Sequence, residues 1–363
     1  MTKIDFKKLP SLDGWRAISI VLVLFDHCKF TDGFPIQLVP IIQTTTPGGF
    51  GVRCFFVISG FLITWLLIKE YEKNGNISLK KFFIRRALRI FPVCFVFLGV
   101  LFFLTPYHQN TSAWLANLSY TTDFFGSPLT TFHLWSLGVE EQFYILWPFL
   151  LLLCFVRGCP LNWYKAFAIL AIPLIVAPGV RLCICKGWFP AQMAWLFNYY
   201  SFFAKFDSLA FGCIAAILFS YFRHQVELFY LRYAGLASWG GGLLIVLPVP
   251  LHLIHFPGRL QAAMFDTMQA FGFALLLLQS VLHPRLGCYR ALNWIWVRHI
   301  GVMSYSIYIW QQMFCGTDET VFNVKGAWWV SFPVWILVTL VVAHASYYLI
   351  EKPLFKLRAR FRD

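Results

Sequence analysis

Charge is the scarcest property of this sequence: 13% of its 363 residues are Asp, Glu, Lys or Arg, against about 25% in ordinary soluble domains. Only 16 residues are acidic. With 59% of positions apolar or aromatic, too little polar surface remains to clothe a water-soluble body, so lipid must act as solvent. No repeat of fixed spacing, low-complexity tract or long polar stretch occurs. That excludes a solenoid and leaves no separate soluble catalytic domain within these residues, so any chemistry must fall on spans and their loops. Metal-ligand spacing is also missing, since His252 and His255 have no third ligand and the Cys183-x-Cys185 pair has no histidine beside it; no metal is expected. The 10 cysteines do not read as a disulfide framework, because Cys54, Cys94, Cys154 and Cys213 fall in or beside apolar stretches, where a thiol serves as a small hydrophobe.

What the sequence does have is apolar runs of the length needed to cross about 30 Å of hydrocarbon. They lie near 12–28, 49–68, 82–104, 133–156, 166–180, 202–221, 234–251, 262–282, 299–315 and 328–349. The fifth, interrupted by Pro173 and ended by Pro178, reads as a broken or re-entrant segment as readily as a full span. The expected fold is all-α: a polytopic membrane bundle of about ten helices over residues 1–363, a single transmembrane domain. An N-terminus on the cytoplasmic side puts most basic residues there, including Lys3, Lys7, Lys8, the run from Lys69 to Arg89, Arg157, Arg223, Arg232 and the Lys352–Arg362 tail. Lys29, Arg53, Arg181, Lys186, Lys205, Arg259 and Lys325 fall opposite. Both termini are therefore expected to be cytoplasmic. The formal charge of +14 reflects this orientation and anionic headgroups, and nothing supports nucleic-acid binding. Asp13 and Arg16 within the first segment, with no small-residue cleavage pattern after it, predict a retained helix rather than a cleaved leader.

Polar residues inside such runs need a reason. Arg16 and His27, eleven positions apart on the first segment, are separated by about 16 Å and face nearly the same way on a helix. This fits a cavity wall or snorkelling at each end. His27 is the best general base, because a neutral imidazole accepts a hydroxyl proton near neutral pH. Asp26 points about 100° away on a regular helix, so a carboxylate from another span is the expected partner. Asp13 and Arg16 have the spacing of an intrahelical pair. The run from His133 to Pro148 opens with Glu140 and Glu141; one could orient His27 and the other hold an arginine. Arg85, Arg86 and Arg89 crowd the entry of the third segment, where they suit the phosphates of a nucleotide-bearing donor and equally suit positive-inside topology. Ser304, Tyr308 and Gln312 give the ninth segment one polar face, a cavity wall or a seam of interhelical hydrogen bonds. Lys205, Asp207 and Asp266 read as interfacial anchors or as a polar seam.

Six islands in order, Leu12-Asp13-Gly14-Trp15-Arg16-Ala17 with His27, Phe55 to Ile63, Arg85-Arg86-Ala87-Leu88-Arg89, His133 to Pro148, Ser304 to Tyr308, and Glu351-Lys352-Pro353, make the chain resemble the membrane acyltransferase-3 family. Members of that family O-acylate lipopolysaccharide, exopolysaccharide, peptidoglycan and some small molecules. The resemblance implies a ten-helix core in a bacterial cytoplasmic membrane, transfer of an acetyl group from cytoplasmic acetyl-coenzyme A, and delivery to a hydroxyl of a glycan or lipid-linked glycan reached from the outer side. It assigns His27, with Arg16, Glu140 and Glu141, to the catalytic core. Arg86 and Arg89, with Arg85 beside them and Tyr308 on the ninth segment, would handle the acyl-coenzyme A donor. Many members carry His where this chain has Gln311.

Imidazole can deprotonate the acceptor for direct attack on the thioester or accept the acyl group itself. Direct transfer is the preferred expectation. A transporter or flippase, a non-enzymatic scaffold, a longer acyl donor and a small-molecule acceptor remain alternatives, and the oligomeric state is open.

Overall fold

The structure, a computed structural model, describes residues 9–104, 110–155, 161–253, 257–315 and 327–361. The basic residues Lys3, Lys7, Lys8, Arg157, Lys325 and Arg362, together with His255, lie outside them. The regular elements among the described residues are all helices, with no strand. Each predicted apolar segment overlaps a helix: α1 Leu12–His27, α2 Pro47–Asn74, α3 Leu79–Leu104, α4 Trp135–Leu152, α5 Trp163–Cys185, α6 Phe202–Tyr221, α7 Arg223–Val246, α8 Gly258–Leu282, α9 Ile295–Phe314 and α10 Val334–Ser346.

Seven helices among the described residues are long and apolar enough to cross a membrane: α2, α3, α5, α6, α7 with its continuation to Leu253, α8, and α10 with its continuation to Arg358. Three fall short of the sequence expectation, one by its length and two by the polar residues they carry. Helix α1 has 16 residues, about 24 Å of rise; α4 carries Glu140, Glu141 and Gln142, and α9 carries Arg298, His299, Gln311 and Gln312. The fifth segment is not broken. Helix α5 runs through Pro173 and Pro178 for 23 residues, and its first turn is closed by Asn162, whose side chain accepts from the Lys165 N–H at 3.0 Å.

The chain divides into two compact units, each visited more than once. Unit 1 comprises Met1–Val21, Gly49–Ile77 and Val139–Val302; unit 2 comprises Leu22–Gly48, Ser78–Gly138 and Met303–Asp363.

Within unit 1, lipid tails are as apolar as leucine, so close packing and hydrogen bonds must hold helices together. Glycine supplies the closeness. A Cβ on Gly60 of α2 would overlap the Leu209 carbonyl of α6, and one on Gly212 would overlap the Val57 carbonyl, so these helices cross backbone to backbone. Gly14 meets Leu292 and Gly301 meets Asp13 in the same manner. Polar ladders set direction: Trp147 Nε1 donates to Thr64 Oγ1 at 2.8 Å and Glu140 accepts from Ser59 at 2.6 Å, so α4 runs parallel to α2. Gln279 Nε2 donates to the Ala234 carbonyl at 3.0 Å, while Gln269 reaches Ile245 at 3.2 Å, so α7 and α8 are antiparallel.

Unit 2 is organised by α3 and the second half of α9. Tyr305 OH donates to the Ile90 carbonyl at 2.5 Å, and the Phe97 ring stands edge-on to Trp310 and His133 at 5.6 Å each, so these two stretches run in the same direction. Helix α10 passes through a π-helical turn, Tyr347–Glu351, into a final helix, Lys352–Ala359. Such widened turns recur at functional sites.

Candidate active site

His27 ends α1, in the part of that helix belonging to unit 2, and is half-buried. Its Nδ1 lies 2.5 Å from Oε1 of Gln311 on α9, which is fully buried. Because an amide oxygen only accepts, Nδ1 carries the proton and donates, and the Nε2 lone pair is left for a substrate. Cys315, one turn beyond Gln311, places Sγ 3.8 Å from the same ring nitrogen and 3.7 Å from Gln311 Oε1. The expected carboxylate partner is replaced by this amide. Among the described residues no carboxylate hydrogen-bonds His27, and neighbouring Asp26 is taken by Lys29 at 3.1 Å. In the sequence, Gln311 stands out only as a departure from the family pattern. The signal it held was its place one turn before Cys315 and beside the polar face of Ser304 and Tyr308.

Tyr308 is buried and bridges within unit 2, sharing a 2.5 Å hydrogen bond with Ser136 Oγ and donating to the His133 carbonyl at 2.8 Å. Its hydroxyl thus locks α9 onto the entry of α4. His133 itself is buried edge-on to Tyr308.

The arginine cluster occupies the opposite end of α3 in the same unit. Arg85 donates to the Phe361 carbonyl at 2.9 Å, Arg86 lies over the Phe82 ring, and the charge of Arg89 acts on Glu351 at the end of the π turn. Glu351 is buried and accepts from Ser306 of α9 at 2.5 Å. Ser306 and Gln311 therefore tie the two ends of unit 2 to one helix, five residues apart, about 7.5 Å of rise.

The remaining candidates lie in unit 1. Arg16 pairs with Asp13 at 3.0 Å, as their spacing foretold. Glu140 accepts from Ser59 at 2.6 Å and from Tyr144 at 3.1 Å, so this carboxylate binds α4 to α2. Glu141 is half-buried beside it. Lys205, Asp207 and Asp266, read in the sequence as anchors or a seam, are buried, and so are Arg53 and Arg181, which were assigned to the helix ends only as topology markers. Arg181 pairs with Asp207 at 2.8 Å; Arg53 and Lys205 share Asp266 at 2.7 and 2.6 Å. Nothing local distinguishes a buried arginine from an interfacial one, because burial depends on which helices pack around it.

A family model described as an acyltransferase domain matches residues 9–351. The chain is similar to the peptidoglycan O-acetyltransferase OatA of Listeria monocytogenes, 27% identical over 389 residues that cover 98% of this chain and 57% of that protein. It is similar to YrhL of Bacillus subtilis, provisionally named for the same activity, at 27% over 375 residues, covering 95% and 55% respectively. A Staphylococcus aureus relative, provisionally named an O-acetyltransferase, is 28% identical over 382 residues, covering 96% and 57%. The chain thus spans a little over half the length of these relatives. No solved structure matches it. With the family model covering nearly every described helix, five of the six motif islands falling inside it in order and the sixth beginning at its last residue, the chain belongs to the membrane acyltransferase-3 family.

Proposed function

We propose that the chain is an O-acetyltransferase that moves an acetyl group from acetyl-coenzyme A to a hydroxyl of a cell-surface glycan of the peptidoglycan type, or its lipid-linked precursor, at a bacterial cytoplasmic membrane. The observation that carries this reading is the His27–Gln311 contact of 2.5 Å, which points a free imidazole nitrogen away from its amide support. The arginines at the other end of the same unit support donor handling, since guanidinium forks match phosphate oxygens. In this reading both termini and the Arg85–Arg89 end face the cytoplasm, and the acceptor arrives from the other side.

The chemistry follows the imidazole. Nε2 of His27 takes the proton of the acceptor hydroxyl as its oxygen attacks the thioester carbonyl. The tetrahedral adduct then collapses to the ester, the carbon–sulfur bond breaks, and the imidazolium returns its proton to the departing coenzyme A thiolate. Gln311 holds the reacting tautomer throughout, much as a buried acceptor orients histidine in a hydrolytic triad. Tyr308 keeps α9 in register with the entry of α4, and Glu140, paired with Ser59 and Tyr144, keeps α4 on α2.

The test is transfer of label from acetyl-coenzyme A to a muropeptide or glycan acceptor by the purified full chain in nanodiscs. An acetyl ester on the acceptor, absent with His27→Ala at unchanged donor affinity, is the expected result. Transfer at the parental rate by His27→Ala overturns the His27 mechanism. Movement of the glycan without a covalent product overturns the enzyme reading in favour of transport, and label retained on His27 with donor alone replaces direct transfer by an acyl-enzyme route.

A further inference from the structure

Between α3 and α4, within unit 2, the chain forms a short helix, Thr111–Leu118. Asn110 opens it, its side chain accepting from the Ala113 N–H at 3.1 Å, and Ala113, Ala116 and Asn117 form its buried face. Together with Leu101 near the end of α3 and the turn from Pro128 to Thr131, this helix lines a cleft. The cleft encloses about 240 Å³ with its mouth included, less than the roughly 300–1,000 Å³ of pockets that hold a whole ligand. It has room for one substituent group.

One polar atom of that lining is left over. Asn117 is 3% exposed; its Nδ2 donates to Thr131 Oγ1 at 3.2 Å, and the Thr131 hydroxyl donates to the Pro128 carbonyl at 3.4 Å. With its single hydrogen directed there, Thr131 can only accept from Asn117, which fixes the orientation of the amide. The amide oxygen is then the spare atom: Asn117 Oδ1 is buried and has no partner among the described residues. An acceptor buried in that way is kept at a loss of stability. Leu101, Ala113 and Pro128 make the rest of the lining largely apolar, and half-buried Trp114, edge-on to Phe102 at 5.7 Å, adds aromatic surface beside them.

Such a cleft suits a group that brings one hydrogen-bond donor and a small apolar end. A sugar hydroxyl supplies only the donor. An acetamido group supplies both, since its amide N–H and its methyl flank one carbonyl carbon. We propose that the cleft binds the 2-acetamido group of an N-acetylated amino sugar in the acceptor, the amide N–H donating to Asn117 Oδ1 and the methyl packing on Leu101 and Ala113. The proposal rests on the glycan-acceptor reading given above and names the substituent by which that glycan is held. The cleft and His27 belong to the same unit. Thr131, in the cleft wall, stands two residues before His133, whose carbonyl accepts from Tyr308 at 2.8 Å. Tyr308 precedes Gln311, the partner of His27, by three residues on α9, about 4.5 Å of rise. Leu101 lies twelve residues beyond Arg89 on α3, about 18 Å of rise, so the cleft is at the end of α3 away from the arginines.

The experiment uses the full chain in phosphatidylcholine nanodiscs with labelled acetyl-coenzyme A and three glycan disaccharides that differ only at the 2-position: acetamido, hydroxyl and butyramido. The acetamido acceptor is expected to exceed the hydroxyl one in kcat/KM by about tenfold or more, mainly through KM, the size of one buried hydrogen bond with its partner left unpaired. The butyramido acceptor should fall below the acetamido one by about fivefold or more, because two extra methylenes overfill a cleft for one small group. In Asn117→Leu the acetamido-to-hydroxyl ratio falls toward one while the thermal midpoint holds or rises, since the orphaned oxygen is gone. Equal kcat/KM for acetamido and hydroxyl acceptors in the parental protein, a comparison that needs no variant to fold, overturns the subsite and leaves acetyl transfer standing. A ratio that persists in Asn117→Leu, or a lowered midpoint with the ratio unchanged, makes Asn117 a structural residue and likewise overturns it. A butyramido acceptor as good as the acetamido one shows that the cleft does not enclose the group, and the proposal fails. Transfer to none of the three, with donor still bound, overturns the acceptor reading beneath it.

Discussion

Around Arg181 every donor has an acceptor: the guanidinium is ringed by Asp207, two backbone carbonyls and Thr267, and nothing is left to bond a ligand. Around His27 the arrangement is looser. Gln311 gives its oxygen to the imidazole, while its own Nε2, buried, has no partner among the described residues, and the second ring nitrogen of His27 is uncommitted. Satisfied buried groups fix a fold, because breaking any one strands another in a medium of low dielectric. Groups with capacity to spare are kept at some loss of stability, and that loss marks them as places where a substrate completes the bonding. Substitutions in the two regions should therefore fail in different ways.

The largest effect is expected at the open region. His27→Ala should lower acetyl transfer by about a thousandfold, within the range of a lost general base, with donor affinity and monodispersity in detergent unchanged; a fall in folded yield instead would move His27 into the structural class. The closed region should show the reverse. Asp207→Asn strands the Arg181 charge and should cost about 3–5 kcal/mol of stability, read as an early thermal transition, whereas replacing Arg181 and Asp207 together by Met and Leu should recover most of it. If the single and double variants unfold alike, the pair is not the closed structure described.

Two smaller effects sharpen the contrast within unit 2. Neutralising Arg85, Arg86 and Arg89 together should weaken acetyl-coenzyme A binding by about tenfold or more while acceptor KM holds; unchanged donor affinity would leave these arginines as topology anchors. Gln311→Ala should reduce kcat by about tenfold and shift its pH profile, because the imidazole loses the acceptor that fixes its tautomer, with Gln311→His retaining more activity than Ala. The smallest change is expected for Glu140→Gln, which keeps an oxygen for Ser59 or Tyr144 and should cost about 1 kcal/mol with a modest loss of transfer. A loss as large as that of His27→Ala would place Glu140 in the chemistry rather than in the α2–α4 seam.

Much of this was legible before any coordinate. Phe202–Tyr221 was bounded to the residue by hydropathy alone, and the candidate histidine stood out because an imidazole at the end of an apolar run has few bland explanations. The Asp13–Arg16 pair followed from its spacing of three. Where reading failed, the missing information was nonlocal. Pro173 and Pro178 suggested a break in α5, yet the helix continues, since neighbouring groups can satisfy carbonyls that proline leaves unpaired. A glutamate was expected to support His27 because carboxylates are the commoner orienting groups, and the sequence offered no measure of which span would lie beside α1.

The sequence by itself determined that the described chain is helical, that its helices fall where apolar residues accumulate, and that His27 and the Arg85–Arg89 cluster stand at helix ends. These are sums over contiguous residues, and in lipid a segment of that length must satisfy its backbone internally, which leaves the helix as its only open form. Tertiary structure alone decided that His27 meets Gln311 across 284 positions, that Arg53 meets Asp266 across 213, and that Gly60 and Gly212 are where two backbones touch. Each of those outcomes depends on which faces of distant helices pack together, and a partner's identity is a property of that contact rather than of either segment.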